Sequence, residues 1–354
     1  MSDRRQRPFR FSVQAFEADS GQQWIGVARR AEELGYSTLF TTDHYFGPGD
    51  ISNASGHRPV DVAPLTAMTA AAMATTRLRV GCRVFCVDYH NPVVLAKELA
   101  TLDMLSEGRL EAGLGAGWVA AEYEGLGIAM DRPGMRIERL AEVVEVLKAH
   151  WGGKPLDVQR SHVRASGFSG RPLPVQQPHP PIFIGGGAPR VLRLAGRLAD
   201  IVSINFNNAA GKLGPGSVAS STRDATAEKI SWIADGAGDR FDDIELEIAA
   251  YFVAITEDPG DALQAMARRF DVTPEALSEH PHALIGSVPE VCEKLEQRRS
   301  ELGVSYVNVA QRSMEAFAPV VARLAGTRRL VRAEPAISRG RLAGSPPSRR
   351  GKRR

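Results

Sequence analysis

Cysteine is scarce: only Cys82, Cys86 and Cys292 occur in 354 residues. An odd number in so long a chain does not build a disulfide framework, and no second Cys/His cluster completes a zinc site. Long apolar runs are missing as well. No stretch approaches the roughly 18 consecutive apolar residues that a membrane-spanning helix needs. The opening residues, MSDRRQRPFRFSVQAF, carry charge without an apolar core or a small-residue cleavage site, so no export signal is visible. These absences predict a soluble cytoplasmic protein. A one-sided charge is absent from the body too. The net charge is +3, but ten Lys/Arg against Glu334 put +9 on residues 328–354, which leaves 3 − 9 = −6 on residues 1–327. A mildly acidic body argues against a nucleic-acid-binding domain. The tail, LVRAEPAISRGRLAGSPPSRRGKRR, lacks apolar periodicity and is expected to be disordered.

What is present is a large globular composition, 43% apolar and 24% charged, enough to bury one extended core. Residues 1–327 alternate short β-rich runs with helical patterns. RFSVQA precedes a helix through QQWIGVARRAEELG, in which Trp24, Val27, Ala28, Ala31 and Leu34 share a face and Gly35 ends the pattern. YSTLFTTD, LRVGCRVFCV, RLEAGLGAGW, PPIFIGGG, DIVSIN, ELEIAAYFVAI and VSYVNVA supply seven further strand-like runs, each followed by a helical segment. In NPVVLAKELATLDMLSEG, Pro92 takes the first-turn position that suits proline. Eight such units predict parallel pairing closed into a (β/α)8 TIM barrel. Residues 152–180, 205–222 and 258–282 interrupt the alternation and read as insertions. The last two follow strand ends, where long loops build and cover active sites.

Unusual residues gather at the strand ends: Asp43–His44, Gly81–Cys86, Gly113–Trp118 and Gly185–Ala188. IGGGAPRVLRLAG runs from strand through glycines into a helix, whose first-turn N–H groups have no partners within the helix. Such a terminus binds phosphate, with Gly186, Gly187 and Ala188 allowing close approach and Arg190 adding charge. The rival is a glycine turn required by packing. GLGAGW spaces its glycines G-x-G-x-G and lacks the return of a dinucleotide fold, so a Rossmann fingerprint is rejected. Trp118 lines a ring-binding pocket or caps the barrel core. Glu122 and Tyr123 belong to a pocket wall or to a helix surface. His44 suits a proton shuttle, against a structural lock on Asp43. His57, His90, His280 and His282 approach a substrate from loops or, the favoured reading, are ordinary solvated loop histidines. Cys82 and Cys86 read as pocket or core thiols, because no activating base is evident.

The run HNPVVLAKELATLDMLSEGRLEAGLGAGWVAAEYEGLG, with TTDHYF before it and PPIFIGGGAPRVLRLAGRLADIVS after it, resembles the luciferase-like monooxygenase superfamily, and within it the branch that uses coenzyme F420, a deazaflavin. The resemblance covers roughly residues 9–326. It implies a cofactor contact at Asp43 and an acid/base at His44. It also implies a bulge with a non-prolyl cis peptide within Gly81–Val84, at Arg83–Val84, bracing one face of the cofactor ring. Cys86 stands where the sugar-phosphate dehydrogenases of that branch place a cofactor-contacting threonine. Ala116 and Gly117 match the glycine-rich end of the fourth strand, and Gly186, Gly187, Ala188, Arg190 and Val191 match the phosphate loop. Those dehydrogenases pair the histidine with a tryptophan and a glutamate, and here the two positions hold Pro48 and Trp118. The acid/base pair for alcohol oxidation is therefore expected to be incomplete, and glucose-6-phosphate is not the expected substrate. The implied reaction is hydride transfer between reduced F420 and an activated C=C, C=N or C=O group of a small molecule, with His44 as proton donor. The alternatives are an FMNH2-dependent monooxygenase using O2 and a non-catalytic cofactor-binding paralogue. A homodimer is the expected assembly.

Overall fold

A computed structural model describes residues 7–153 and 155–326, and the expected disorder of 328–354 lies outside the described residues. Among the described residues there are thirteen strands: β1 Arg10–Gln14, β2 Thr38–Thr41, β3 Arg79–Cys82, β4 Phe85–Cys86, β5 Leu110–Gly115, β6 Pro155–Gln159, β7 Arg164–Ser169, β8 Ile182–Gly186, β9 Ile201–Ile204, β10 Glu245–Ala250, β11 Phe252–Ile255, β12 Ala283–Gly286 and β13 Val304–Ala310. Nine of them form one sheet in the order β3-β2-β1-β13-β10-β9-β8-β5-β4, and a β3–β5 pairing at Val80↔Leu110 closes it. Every pairing in this sheet is parallel. β3 and β4 together fill one position, so the barrel has the eight staves expected from the alternation.

The reason is visible in the burial pattern. TLFT, LEAGLG, IVSI and ELEIAA are covered on both faces, as strands between a barrel interior and a helix layer must be. Inside the barrel, Phe40, Phe183, Ile201 and Tyr306 pack with Val84. Outside it, helices set their apolar faces on the staves. Gly21–Glu33 buries Trp24, Ala28 and Ala31, with the Trp24 indole N–H donating to Ala67 O at 2.8 Å. Pro92–Leu105 starts on Asn91, whose side chain accepts from the N–H groups of Val93 and Val94. Fully burying each large apolar side chain contributes roughly 1.5–3 kcal/mol.

Two expected runs divide. LRVGCRVFCV breaks at a cis Arg83–Val84 peptide, which separates β3 from β4. ELEIAAYFVAI leaves the barrel after Ala250, and its second half becomes β11, paired in parallel with β12. The three insertions take different forms. Residues 152–180 hold the antiparallel hairpin β6–β7. Residues 205–222 hold one short helix, Pro215–Ala219. Residues 258–282 hold helices Gly260–Phe270 and Pro274–Ser278, which share a small core of Phe206, Phe252, Leu277 and Ile285 with β11 and β12. No helix among the described residues is long and apolar enough to cross a membrane.

Candidate active site

β2 ends at Thr41, and the next residues emerge at the mouth formed by the carboxyl ends of the strands, where TIM barrels carry their chemistry. Asp43 is buried there. Its Oδ1 accepts from the Tyr45 hydroxyl at 2.8 Å. Its Oδ2 accepts from the Cys86 backbone N–H at 2.8 Å and lies 2.8 Å from His90 Nε2. The carboxylate thus ties the ends of β2 and β4 together. His44 turns the other way. Its Nδ1 is 2.6 Å from Glu122 Oε2, while Glu122 Oε1 accepts the Tyr45 backbone N–H at 2.7 Å and Tyr89 OH donates to Oε2 at 3.3 Å. Among the described residues no hydrogen bond engages His44 Nε2. Around the imidazole stand His57, Phe46 and Trp118, with ring centroids 4.7, 5.4 and 5.9 Å away.

The electrostatics keep most neighbours neutral. Burial pushes the His57 imidazole down to about 4, with His44 and Arg58 adding to the effect against the opposing bond to Arg58 O. Burial pushes the Cys86 thiol up to about 12, with Asp88 and Asp43 adding and the Tyr123 hydrogen bond opposing. Cys82 is raised for the same first reason, with Asp43 adding. Both remain thiols at neutral pH. Tyr45, Tyr89 and Tyr123 are raised by burial and by nearby acidic groups, and they stay hydroxyl donors.

The other strand ends converge on the same mouth. Arg83 Nη2 donates to Ser203 Oγ at 2.9 Å and Asn205 Oδ1 at 2.7 Å, and its Nε donates to Glu247 Oε1 at 3.2 Å. It therefore cross-links the β3–β4 break to β9 and β10. Ala116 and Gly117 follow β5, and their carbonyls accept from Arg136 Nη1 at 2.8 and 2.6 Å. Gly117 has φ +71°, and a Cβ there would lie 2.0 Å from Tyr123 Oη, so this position excludes side chains whatever the ligand. At the β8 end a Cβ on Gly187 would sit 2.1 Å from Phe206 O. The packing rival for the glycine loop is thus satisfied, and the phosphate reading needs its own support. That support is the helix Pro189–Leu198, which begins at Ala188 with no side chain capping it and leaves first-turn N–H groups such as those of Arg190 and Val191 for an anion. Arg190 points its charge elsewhere, at Glu138 Oε1 2.6 Å away.

Several expectations need correction. Asp43 is not the partner of His44; Glu122 is. Glu122 is 1% exposed and Tyr123 is buried, so neither belongs to a helix surface. The short helix Ala120–Gly125 turns both inward. The imidazole therefore has a carboxylate after all, five residues beyond Gly117. His90, His280 and His282 are not solvated. His90 is half-buried against Asp43. His280 and His282 are buried, with His280 Nε2 bonded to Val218 O at 3.0 Å and His282 Nδ1 to Ala249 O at 2.7 Å. His57 is half-buried and bonded through Nδ1 to Arg58 O at 2.7 Å. A loop histidine reads as exposed only while nothing shows what packs over the loop. Trp118 stands half-buried beside His44 and does not cap the barrel core.

A model of the luciferase-like monooxygenase family matches residues 9–284. The chain belongs to that family. Within it, the chain is 32% identical over 184 residues to an F420-dependent glucose-6-phosphate dehydrogenase of Nocardia farcinica, a match spanning 51% of this chain and 52% of that one. It is 29% identical over 147 residues to an FMNH2-dependent dimethylsulfone monooxygenase of Pseudomonas putida, spanning 42% and 40%. The chain thus spans about half the length of these curated relatives or less. Among solved structures, the coenzyme F420 dependent tetrahydromethanopterin reductase from Methanopyrus kandleri superposes with a TM-score of 0.69 over 90% of this chain and 99% of that one, at 18% identity, a likeness of fold alone. Members of the family are oxidoreductases or monooxygenases, and the relatives include F420-dependent and FMNH2-dependent enzymes.

Proposed function

We propose that this chain is an F420-dependent oxidoreductase that reduces an activated C=C, C=N or C=O group of a small organic substrate, with His44 donating the proton. The observation carrying this reading is the imidazole of His44 at the carboxyl-terminal mouth, anchored through Nδ1 with no hydrogen bond to Nε2 among the described residues. The F420-dependent relative in Nocardia supports the choice of deazaflavin. The residues fit such a group. The uncapped start of helix Pro189–Leu198, with Gly186, Gly187, Ala188, Arg190 and Val191, would hold a phosphate. Arg83–Val84, Cys86, Ala116 and Gly117 would stand at the ring, and Asp43, its three donors already in place, would contact it with a remaining lone pair.

Reduced F420 supplies a hydride when bound. The chain's own share is to orient the two partners, to exclude water, and to deliver a proton from His44 Nε2 to the atom left negative when the double bond accepts that hydride. A positioned acid of this kind contributes typically 10²–10⁴-fold, and its neutral form keeps the Nδ1 proton on Glu122. Titrating the purified protein with F420 and with FMN, followed by cofactor fluorescence, tests the assignment. Tight F420 binding with weak FMN binding is expected. The reverse order would establish the FMNH2-dependent monooxygenase in its place, and binding of neither would leave the non-catalytic paralogue.

A further inference from the structure

A buried carboxylate bonded to only one nitrogen of an imidazole decides which nitrogen carries the proton. Glu122 is such a group. Ionised, it only accepts, so the atom 2.6 Å away, His44 Nδ1, must be the donor. The same carboxylate is held in place from two other directions, by the Tyr45 backbone N–H on Oε1 at 2.7 Å and by the Tyr89 hydroxyl on Oε2 at 3.3 Å. Neither partner brings a positive charge. His57, the other titratable group facing His44, sits 4.7 Å away between ring centroids and is neutral near pH 7. Arg58, next to it, is taken up by Glu17 at 2.9 Å. Asp43, on the other side of His44 in the chain, spends its oxygens on Tyr45, Cys86 and His90. Phe46 and Trp118 close the remaining sides without charge.

From this arrangement we infer that Glu122 is the positioning residue of the site: it holds His44 in the Nδ1–H form, aims Nε2 into the mouth and stabilises the imidazolium from which Nε2 releases its proton. The inference rests on His44 being the proton donor, and the pairing emerges from the fold alone, since Glu122 lies 78 positions from His44. The proton balance is simple. Nε2–H of the imidazolium is given up, Nδ1–H stays on Glu122, and a proton from solvent returns to Nε2 before the next turnover.

Glu122→Gln separates this role from a structural one. The amide oxygen still accepts from Tyr45 N–H, so the fold is retained, while the amide N–H₂ now donates to Nδ1 and makes Nε2 the protonated nitrogen. Histidine labelled with ¹⁵N, in the cofactor-free protein, reads the tautomer directly, with His44 assigned by the resonance lost in His44→Gln. The expected result is Nδ1–H in the parent at a pH where the ring is neutral and Nε2–H, or a mixture, in Glu122→Gln. With F420 bound, kcat in the variant is expected to fall about 10²-fold while the F420 Kd stays within about twofold. An unchanged tautomer overturns the inference, as does an unchanged kcat or a kcat loss explained by lost cofactor binding. Should the parent bind no F420, the functional reading fails, and the tautomer result still decides the role of Glu122.

Discussion

The two mouths of the barrel are both rich in charge, and they use it differently. At the amino-terminal mouth, Glu111 receives Arg10 and Arg79 on one carboxylate and the Tyr306 hydroxyl at 3.0 Å, with Arg10 reaching on to Glu245 at 2.8 Å and Arg79 to Gln176 at 2.9 Å. Burial alone would raise the Glu111 carboxyl, but the two guanidinium groups and the hydrogen bonds hold it below the usual carboxylate range. At the carboxyl-terminal mouth the carboxylates of Asp43 and Glu122 are given histidines instead. Arginine does not release its proton in a protein, whereas imidazole exchanges one near neutral pH. One mouth is therefore a lock, and the other is able to move protons.

The sharpest way to break that contrast is to remove the centre of the lock. Glu111→Leu leaves Arg10 and Arg79 without their shared partner, and breaking a buried pair from one side costs about 3–5 kcal/mol. Both arginine side chains keep partial access to solvent, so about 3 kcal/mol, the lower end, is expected. Urea unfolding measures it. Among molecules still folded, F420 binding is expected to be unchanged, because the network lies at the opposite end of the barrel. A variant that loses cofactor affinity without losing stability would show that the ends are coupled.

A smaller effect is expected from pH, and it belongs to the carboxyl-terminal mouth. His57 is neutral in the fold, with its pKa brought down to about 4 by burial. Between the unfolded value near 6.5 and that folded value, the unfolded chain binds a proton that the native state refuses. His57 therefore costs nothing above pH 6.5 and destabilises the fold increasingly as pH falls towards 4. Its share is at most about 3 kcal/mol at the acid end, less for the part of the ring that water reaches. Urea midpoints at pH 7, 6 and 5 for the parent and His57→Phe measure this by difference, and the variant is expected to lose less stability on acidification. Parallel slopes in the two proteins would mean that the ring protonates freely in the fold.

How far the sequence discloses these two ends follows from the range of the interactions. The barrel was legible because each strand run and its following helix are local patterns, and repeating them eight times leaves one parallel solution. The division of ELEIAAYFVAI was not, since the apolar pattern continues through Tyr251 while the chain changes sheets. Asp43 and His44 announce themselves as ionisable residues at a strand end. Their partners do not: Glu122 and His90 sit 78 and 47 positions away from the groups they bind. One signal was available. Glu111 and Glu247 lie inside otherwise apolar strand runs, and Arg10 opens another; a charge there must find a partner across the barrel. That spacing predicts an ion network without naming its pairs.

The smallest predicted effect concerns Arg190, where charge near a ligand site invites a larger expectation. Its guanidinium is 2.6 Å from Glu138, with side chains 59% and 54% exposed. An ion pair in that much water contributes little, and a cation already matched to a carboxylate adds little field at the neighbouring helix terminus. Backbone N–H groups of helix Pro189–Leu198 carry the anion instead, if phosphate binds there. Arg190→Ala is accordingly expected to weaken F420 by less than about fivefold, with the difference shrinking as salt is raised. Glu138→Ala, which frees the guanidinium, is expected to tighten it at low salt. Fluorescence titrations at low and high ionic strength give both numbers. A loss beyond tenfold in Arg190→Ala would mean that the arginine leaves Glu138 for the ligand, and that this corner of the carboxyl-terminal mouth, unlike the arginine lock at the far end, rearranges when it is filled.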